Sequence, residues 1–200
     1  MLGKINRKRK GQTALSTRDH FMGRNVIWSN DPYVNPNGEK YMTRFWFWRF
    51  RLHFMHRGDV DLDLHDHPWW FITFPLRSYV EEVMEPVPGK ANEWNRKLNV
   101  VRAFRFHFRP RSYVHRILGP LPPRHFDPER FFKVNTNDHL ARYERHGIST
   151  AIPTLVFRGK FSGKWGFYPD IGGEPFWVPA EVYFAGPGSD EAEEVFSNAS

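Results

Sequence analysis

LHDHPWWFITFPL, residues 64–76, joins two histidines at i and i+2 to an apolar run that begins just after Pro68. In an extended strand, residues two apart point to the same face, roughly 6.5–7 Å apart along the backbone. His65 and His67 can therefore converge on one metal, while Asp66 points the opposite way. The run Trp69 to Leu76 predicts a buried strand. A third histidine, His115 in Tyr113-Val114-His115-Arg116, sits on a later short strand that can lie beside the first. Three imidazoles without thiolate suit Fe(II), Ni, Zn or Mn, and leave positions open for water, oxygen or substrate.

Working outward, Tyr41 to His56 alternates with period two. Trp46, Trp48, Phe50, Leu52 and Phe54 fall on one face, and Phe45, Phe47, Arg49, Arg51 and His53 on the other, which predicts one strand or two with a bend. Upstream, DPYVNPNGEK (31–40) is a turn cluster, and downstream VEEVMEPVPGKANEWN turns at Pro86, Pro88 and Gly89. Alternation returns from Val100 to Arg109, with Phe104, Phe106 and Phe108 opposite Arg105, His107 and Arg109, until Pro110 ends it. DPERFFKVNTNDHLARYERHG (127–147) is the stretch that reads as helical, with Asp127 as N-cap and Pro128 at the first helical position. TLVFRGK and KWGFYPD are two strands around a glycine turn, and EPFWVPAEVYF is a final proline-flanked edge element. About eight short strands with one helical insertion predict a closed or sandwiched antiparallel β-domain, a barrel or jelly roll. Alternating α and β units are absent, which disfavours a parallel nucleotide-binding sheet.

The 200 residues suit a single domain with tails. The absence of cysteine excludes disulfides, thiolate metal sites and iron–sulfur clusters, so any metal falls to His and carboxylate. Of the formal charge of +7, most sits in residues 1–24, a basic arm. Residues 25–185 form the barrel domain with an insertion at about 121–152, and residues 186–200 an acidic tail. Arg7, Lys8, Arg9 and Lys10 are either a short tail or a contact for nucleic acid or an acidic protein partner, through residues 4–10. No apolar stretch approaches a membrane span or a signal-peptide core, which predicts a soluble, unexported protein.

Arg49, Arg51, Arg105 and Arg109 either line an anion pocket or face solvent. Trp46, Trp48, Trp69, Trp70, Trp165 and Trp177 suit core packing, with sugar stacking as the other reading. His53, His56 and His107 read as polar-face residues of strands.

LHDHPWWFITFPLRSYVEEV, PRSYVHRI, PTLVFRG, KWGFYPD and FWVPAEVYF occur in the order found in small cupin-like proteins of tailed phages and proteobacterial genomes, and from Tyr41 to Phe184 the chain resembles that set. The resemblance implies an all-β cupin-type jelly roll, or double-stranded β-helix, with one short helical insertion and a ligand pocket inside the barrel. It implies a divalent metal (Fe, Ni, Zn or Mn) on the first-motif pair His65 and His67 and on His115. Phe71 and Ile72 stand where the family's motif glutamate would be, so Glu81 or Glu82 from the next strand is the candidate fourth ligand. Ser78 replaces the family's glycine before Tyr79. The function implied is dioxygenase or isomerase chemistry on a small polar or anionic molecule. Two other readings stand beside it: a non-catalytic phage-type accessory protein, and a metal-free epimerase with His67 as base and Tyr79 as acid. A homodimer through edge strands, and a cytoplasmic or virion-associated location, are the remaining expectations.

Overall fold

In the computed structural model, residues 21–28, 40–59, 61, 63–90, 93–132, 139–171 and 174–185 are described. Their order is β1 (Met22–Trp28), β2 (Lys40–Phe47), β3 (Phe50–Met55), β4 (Leu64–His65), β5 (Phe71–Pro75), β6 (Tyr79–Pro86), β7 (Trp94–Val101), β8 (His107–Arg109) and β9 (Val114–Pro120). Helices α1 (Pro128–Phe132) and α2 (His139–Arg145) follow, then β10 (Ile152–Arg158), β11 (Gly166–Tyr168), β12 (Asp170–Ile171), β13 (Glu174–Pro175), β14 (Val178–Pro179) and α3 (Ala180–Ala185). The basic cluster Arg7, Lys8, Arg9 and Lys10 and the acidic tail lie outside the described residues.

Strand pairing nests about one hairpin. β6 pairs with β7, β5 with β8, β4 with β9 and β3 with β10, all antiparallel. This is one long hairpin of four strands against four, which rolls up when β10 also pairs with β5 and β9 with β6. Two six-stranded sheets result, β1-β2-β3-β10-β5-β8 and β14-β11-β4-β9-β6-β7. That is the jelly roll expected, and it explains why strands far apart in sequence meet in the interior.

Local chemistry sets which residues line that interior. β2 and β3 are joined by the two-residue turn Trp48-Arg49, with Trp48 in the left-handed region at φ 52°. A tight hairpin puts paired residues on one face, so Trp46 shares a face with Arg51 and Arg44 with His53. Counting parity straight through the turn therefore misplaces one strand: Trp46 is buried inside, whereas Trp48 and Phe50 are exposed. Core packing holds for Trp46, but Trp48 and Trp70 lie exposed. The alternation from Val100 to Arg109 is also broken, because a turn at 102–105, with Phe104 at φ 57°, carries the chain from one sheet to the other. Phe106 is left 79% exposed, while Arg109 turns inward.

One apolar cluster fills the barrel, with Met42, Met55, Tyr79, Val101, Ile117 and Ile152. A second lies outside it. There the inserted segment lays Phe131, Phe132 and Tyr143 on Val80 and Leu118, which face outward from the second sheet. The insertion thus covers a sheet face that would otherwise be wet. Helix α1 begins as its sequence predicts, with the Glu129 amide donating to Asp127 Oδ1 at 3.0 Å. α1 and α2 flank residues 133–138, which lie outside the described residues.

The chain's last described element departs from expectation. Ala180–Ala185 is a helix rather than part of an edge strand. Its aromatic and β-branched residues mimic a strand in composition. Packing overrides that propensity: Tyr183 stacks on Phe167 at 4.0 Å and Val182 packs on Val178. No helix among the described residues is long and apolar enough to cross a membrane.

Candidate metal centre

β4 and β9 pair at a single position, His65 opposite His115, so both imidazoles point into the barrel. His67 follows just before Pro68, and its ring centroid lies 5.1 Å from that of His65 and 5.3 Å from that of His115. The ligand atoms of the three lie within 4.8 Å of one another, with His67 Nε2 and His115 Nε2 3.0 Å apart. Asp66 points away and anchors the bend, accepting from the Gly166 amide at 2.8 Å and from Trp177 Nε1 at 3.2 Å.

Behind His115 stands Glu81, with no solvent exposure. Its Oε2 accepts from His115 Nδ1 at 2.9 Å. Its Oε1 accepts from Arg109 at 2.8 Å, from Asn99 Nδ2 at 2.8 Å and from the Tyr113 hydroxyl at 2.5 Å. A carboxylate on Nδ1 fixes the imidazole's orientation and leaves Nε2 facing the centre, as an outer partner of a metal-binding histidine does. Glu81 is therefore placed to orient a ligand rather than to lie among the three clustered donors. Glu82 faces the other side of the sheet, where its carboxylate meets Arg116 Nε at 2.6 Å. Strand parity separates the two glutamates: the Asn99 side chain that reaches Glu81 belongs to the residue paired with it across β6 and β7.

Electrostatics favour neutral rings at His65 and His67. Burial, partly opposed by Asp59 and assisted by His115, pushes His65 down to about 4, and burial with the neighbouring His65 and His115 holds His67 well below its usual range. For Glu81 burial alone would raise the carboxyl. The hydrogen bond and charge of His115, the Arg109 guanidinium and the Tyr113 hydroxyl outweigh it and bring the group to about 2. The Tyr79 hydroxyl is pushed upward by burial and by Glu81, so it stays protonated, and its ring packs with the apolar barrel cluster.

The other candidates scatter. Arg51 faces the interior, but Arg49 lies over the Trp48 ring at the hairpin turn, 5.2 Å from its centroid, and Arg105 is exposed in the β7–β8 connection. His56 meets the Thr43 hydroxyl at 2.9 Å, and His107 Nε2 lies 2.8 Å from the Arg102 carbonyl. His53 faces the interior. Asn99 and Tyr113 take part in the Glu81 network without having been singled out by the sequence. Tyr113 carried one signal, its position two residues before His115 on the same strand face. Asn99 carried none, since its role depends on the pairing of β6 with β7.

No family model matches the chain, and no curated protein matches it. Among solved structures, the crystal structure of DMSP lyase DddQ from Ruegeria pomeroyi DSS-3 is similar at 13% identity and a TM-score of 0.29, covering 78% of this chain and 55% of that one. The chain thus spans about half the length of that protein. A likeness of this size carries no argument about chemistry, and the jelly roll rests on the strand pairing.

The depressed histidines give a pH dependence with a definite sign. His65 titrates near 6.5 when unfolded and near 4 when folded, so in that window the unfolded chain binds more protons and stability rises with pH. His67 and His53 act in the same direction. The urea midpoint of the metal-free protein is expected to be highest above about pH 6.5 and to fall steadily towards pH 4, less steeply in His67→Asn. A midpoint that stays flat across that range contradicts burial of the imidazoles.

Proposed function

We propose that the protein is a metal-dependent jelly-roll enzyme that acts on a small polar molecule inside its barrel. The observation that carries this reading is the set of three imidazoles within 4.8 Å, one of them held by a buried carboxylate. An all-nitrogen donor set suits Fe, Ni, Zn or Mn. His65, His67 and His115 would hold the ion. When bound, it supplies Lewis-acid polarisation of a substrate carbonyl or, as iron, activation of oxygen.

The chain's own residues prepare that site. Burial keeps His65 and His67 unprotonated near neutrality, so their lone pairs are available to a cation. Glu81 accepts the His115 Nδ1–H hydrogen bond, and Arg109, Asn99 and Tyr113 hold Glu81 in turn. Phe71 packs against His67, its ring centroid 4.6 Å away, and limits where that ring can turn. A metal-free epimerase is less well supported, because a half-buried His67 held well below its usual range is a weak base.

The test is elemental analysis of protein purified without an affinity metal column, beside His65→Ala/His67→Ala. Near-stoichiometric iron, nickel, zinc or manganese in the parent protein and none in the double variant is expected. A parent protein that stays metal-free after anaerobic reconstitution with each of these ions overturns the reading.

A further inference from the structure

Facing the histidines, the inner wall of the first sheet is cationic. Pairing sets Arg44 beside His53 and His53 beside Thr154, with Trp46, Arg51 and Val156 in the adjoining row. Arg158 shares this face, its guanidinium 4.8 Å from the Trp69 ring centroid. Among the described residues, neither Arg44 nor Arg51 meets a carboxylate. Arg44 Nε donates to Asn25 Oδ1 at 3.2 Å, and Arg51 donates to the carbonyls of Trp48 at 2.6 Å and Phe50 at 2.9 Å. Glu81, the buried carboxylate among the described residues, is already taken by Arg109 and His115.

Two buried polar atoms on this wall, His53 Nε2 and Thr154 Oγ1, have no hydrogen-bond partner, and Thr154 is only 2% exposed. A buried polar atom left unpaired forfeits the hydrogen bonds it made to water, which proteins tolerate where a ligand restores them. Burial, with repulsion from Arg158 and Arg44, brings Arg51 down to about 10, the mark of positive charges crowded together. Phe71 ties this wall to the histidines: it pairs with Arg158 across β5 and β10, and its ring centroid lies 4.6 Å from that of His67.

We propose that this wall binds a small organic anion, its carboxylate or phosphate held by Arg44, Arg51 and the Thr154 hydroxyl and its remaining atoms turned to His65, His67 and His115. The guanidinium fork matches the oxygens of either group. This names the substrate class for the metal site above, and rests on that reading only for what happens at the ligand's far end.

The test is calorimetric titration of the full chain, at a measured metal content, with malonate, inorganic phosphate and neutral malonamide. Malonate, phosphate or both are expected to bind, whichever does so naming the class, and malonamide is not. Affinity is expected to fall about tenfold or more in Arg44→Gln and in Thr154→Val. Thr154→Val removes a buried hydroxyl without a partner, so its melting temperature should rise as its anion affinity falls, a combination that a structural role alone does not give. In His65→Ala/His67→Ala, anion binding should persist whether or not the parent protein holds metal, which separates this proposal from the metal reading. Absence of binding by both anions, equal affinity in Arg44→Gln and Thr154→Val, or loss confined to the double histidine variant overturns it.

Discussion

Glu81→Ala is expected to destabilise the protein by about 3–5 kcal/mol, the usual consequence of removing one partner of a buried ion pair. Arg109, 4% exposed, would be left a buried cation without its carboxylate. The Tyr113 hydroxyl, Asn99 Nδ2 and His115 Nδ1 would lose their acceptor at the same time. Glu81→Gln keeps the shape and one carbonyl oxygen but sets an amide N–H2 against donors, so an intermediate loss is expected. That variant should still fold, with metal affinity lowered about 10- to 100-fold through the loosened His115. Urea denaturation read at pH 7, with a competing chelator for the metal, checks both. An alanine variant as stable as the parent protein would mean that the Glu81 network is not buried as described.

The second large effect is expected at Gly119. It sits at φ 148° on β9, a conformation that side chains rarely adopt, and a Cβ there would overlap the Tyr143 hydroxyl. Tyr143 is itself buried and donates to the Pro120 carbonyl at 3.2 Å. Gly119→Ala is therefore expected to cost about 3 kcal/mol or more, from overpacking together with backbone strain. Tyr143→Phe removes the hydroxyl but keeps the ring carbons Cζ and Cε2 that the Cβ also overlaps, so the double variant should recover only part of that loss, with ring overlap and backbone strain remaining. A double-mutant cycle by chemical denaturation measures the coupling. Strictly additive effects would show that the insertion does not bear on β9 at this point.

These two sites divide what was legible from what was not. His65 and His67 could be paired from their spacing alone, because period-two alternation is a local property of an extended chain. His115 could be proposed from its own short strand. That it meets His65 directly depends on β4 and β9, about fifty residues apart, lying side by side in the rolled hairpin. Parity left the choice between Glu81 and Glu82 open. Only the rolled sheet, which puts Tyr79 in the barrel cluster and Val80 in the outer one, sets Glu81 inward to His115 and Glu82 outward to Arg116.

The arginines separate for a related reason. Arg49 and Arg51 lie in one alternating run and Arg105 in another, yet a two-residue turn inverts parity between β2 and β3 and a second turn breaks the run before β8. One residue of turn length moves a side chain from pocket to solvent. That is why Arg44, on the far arm of the hairpin, faces inward beside His53 while Arg105 is exposed.

By itself the sequence determined the β-rich character of the chain, the start of α1 at Asp127 and the histidine pair, each set by interactions within a few residues. The tertiary structure alone decided the nesting of β3–β6 on β10–β7, the carboxylate behind His115, the cationic wall opposite it and the seat of the insertion on Val80 and Leu118. Each of those depends on contacts between residues far apart in the chain. Their partners are chosen by strand register and by burial of the whole sheet, which no local pattern encodes.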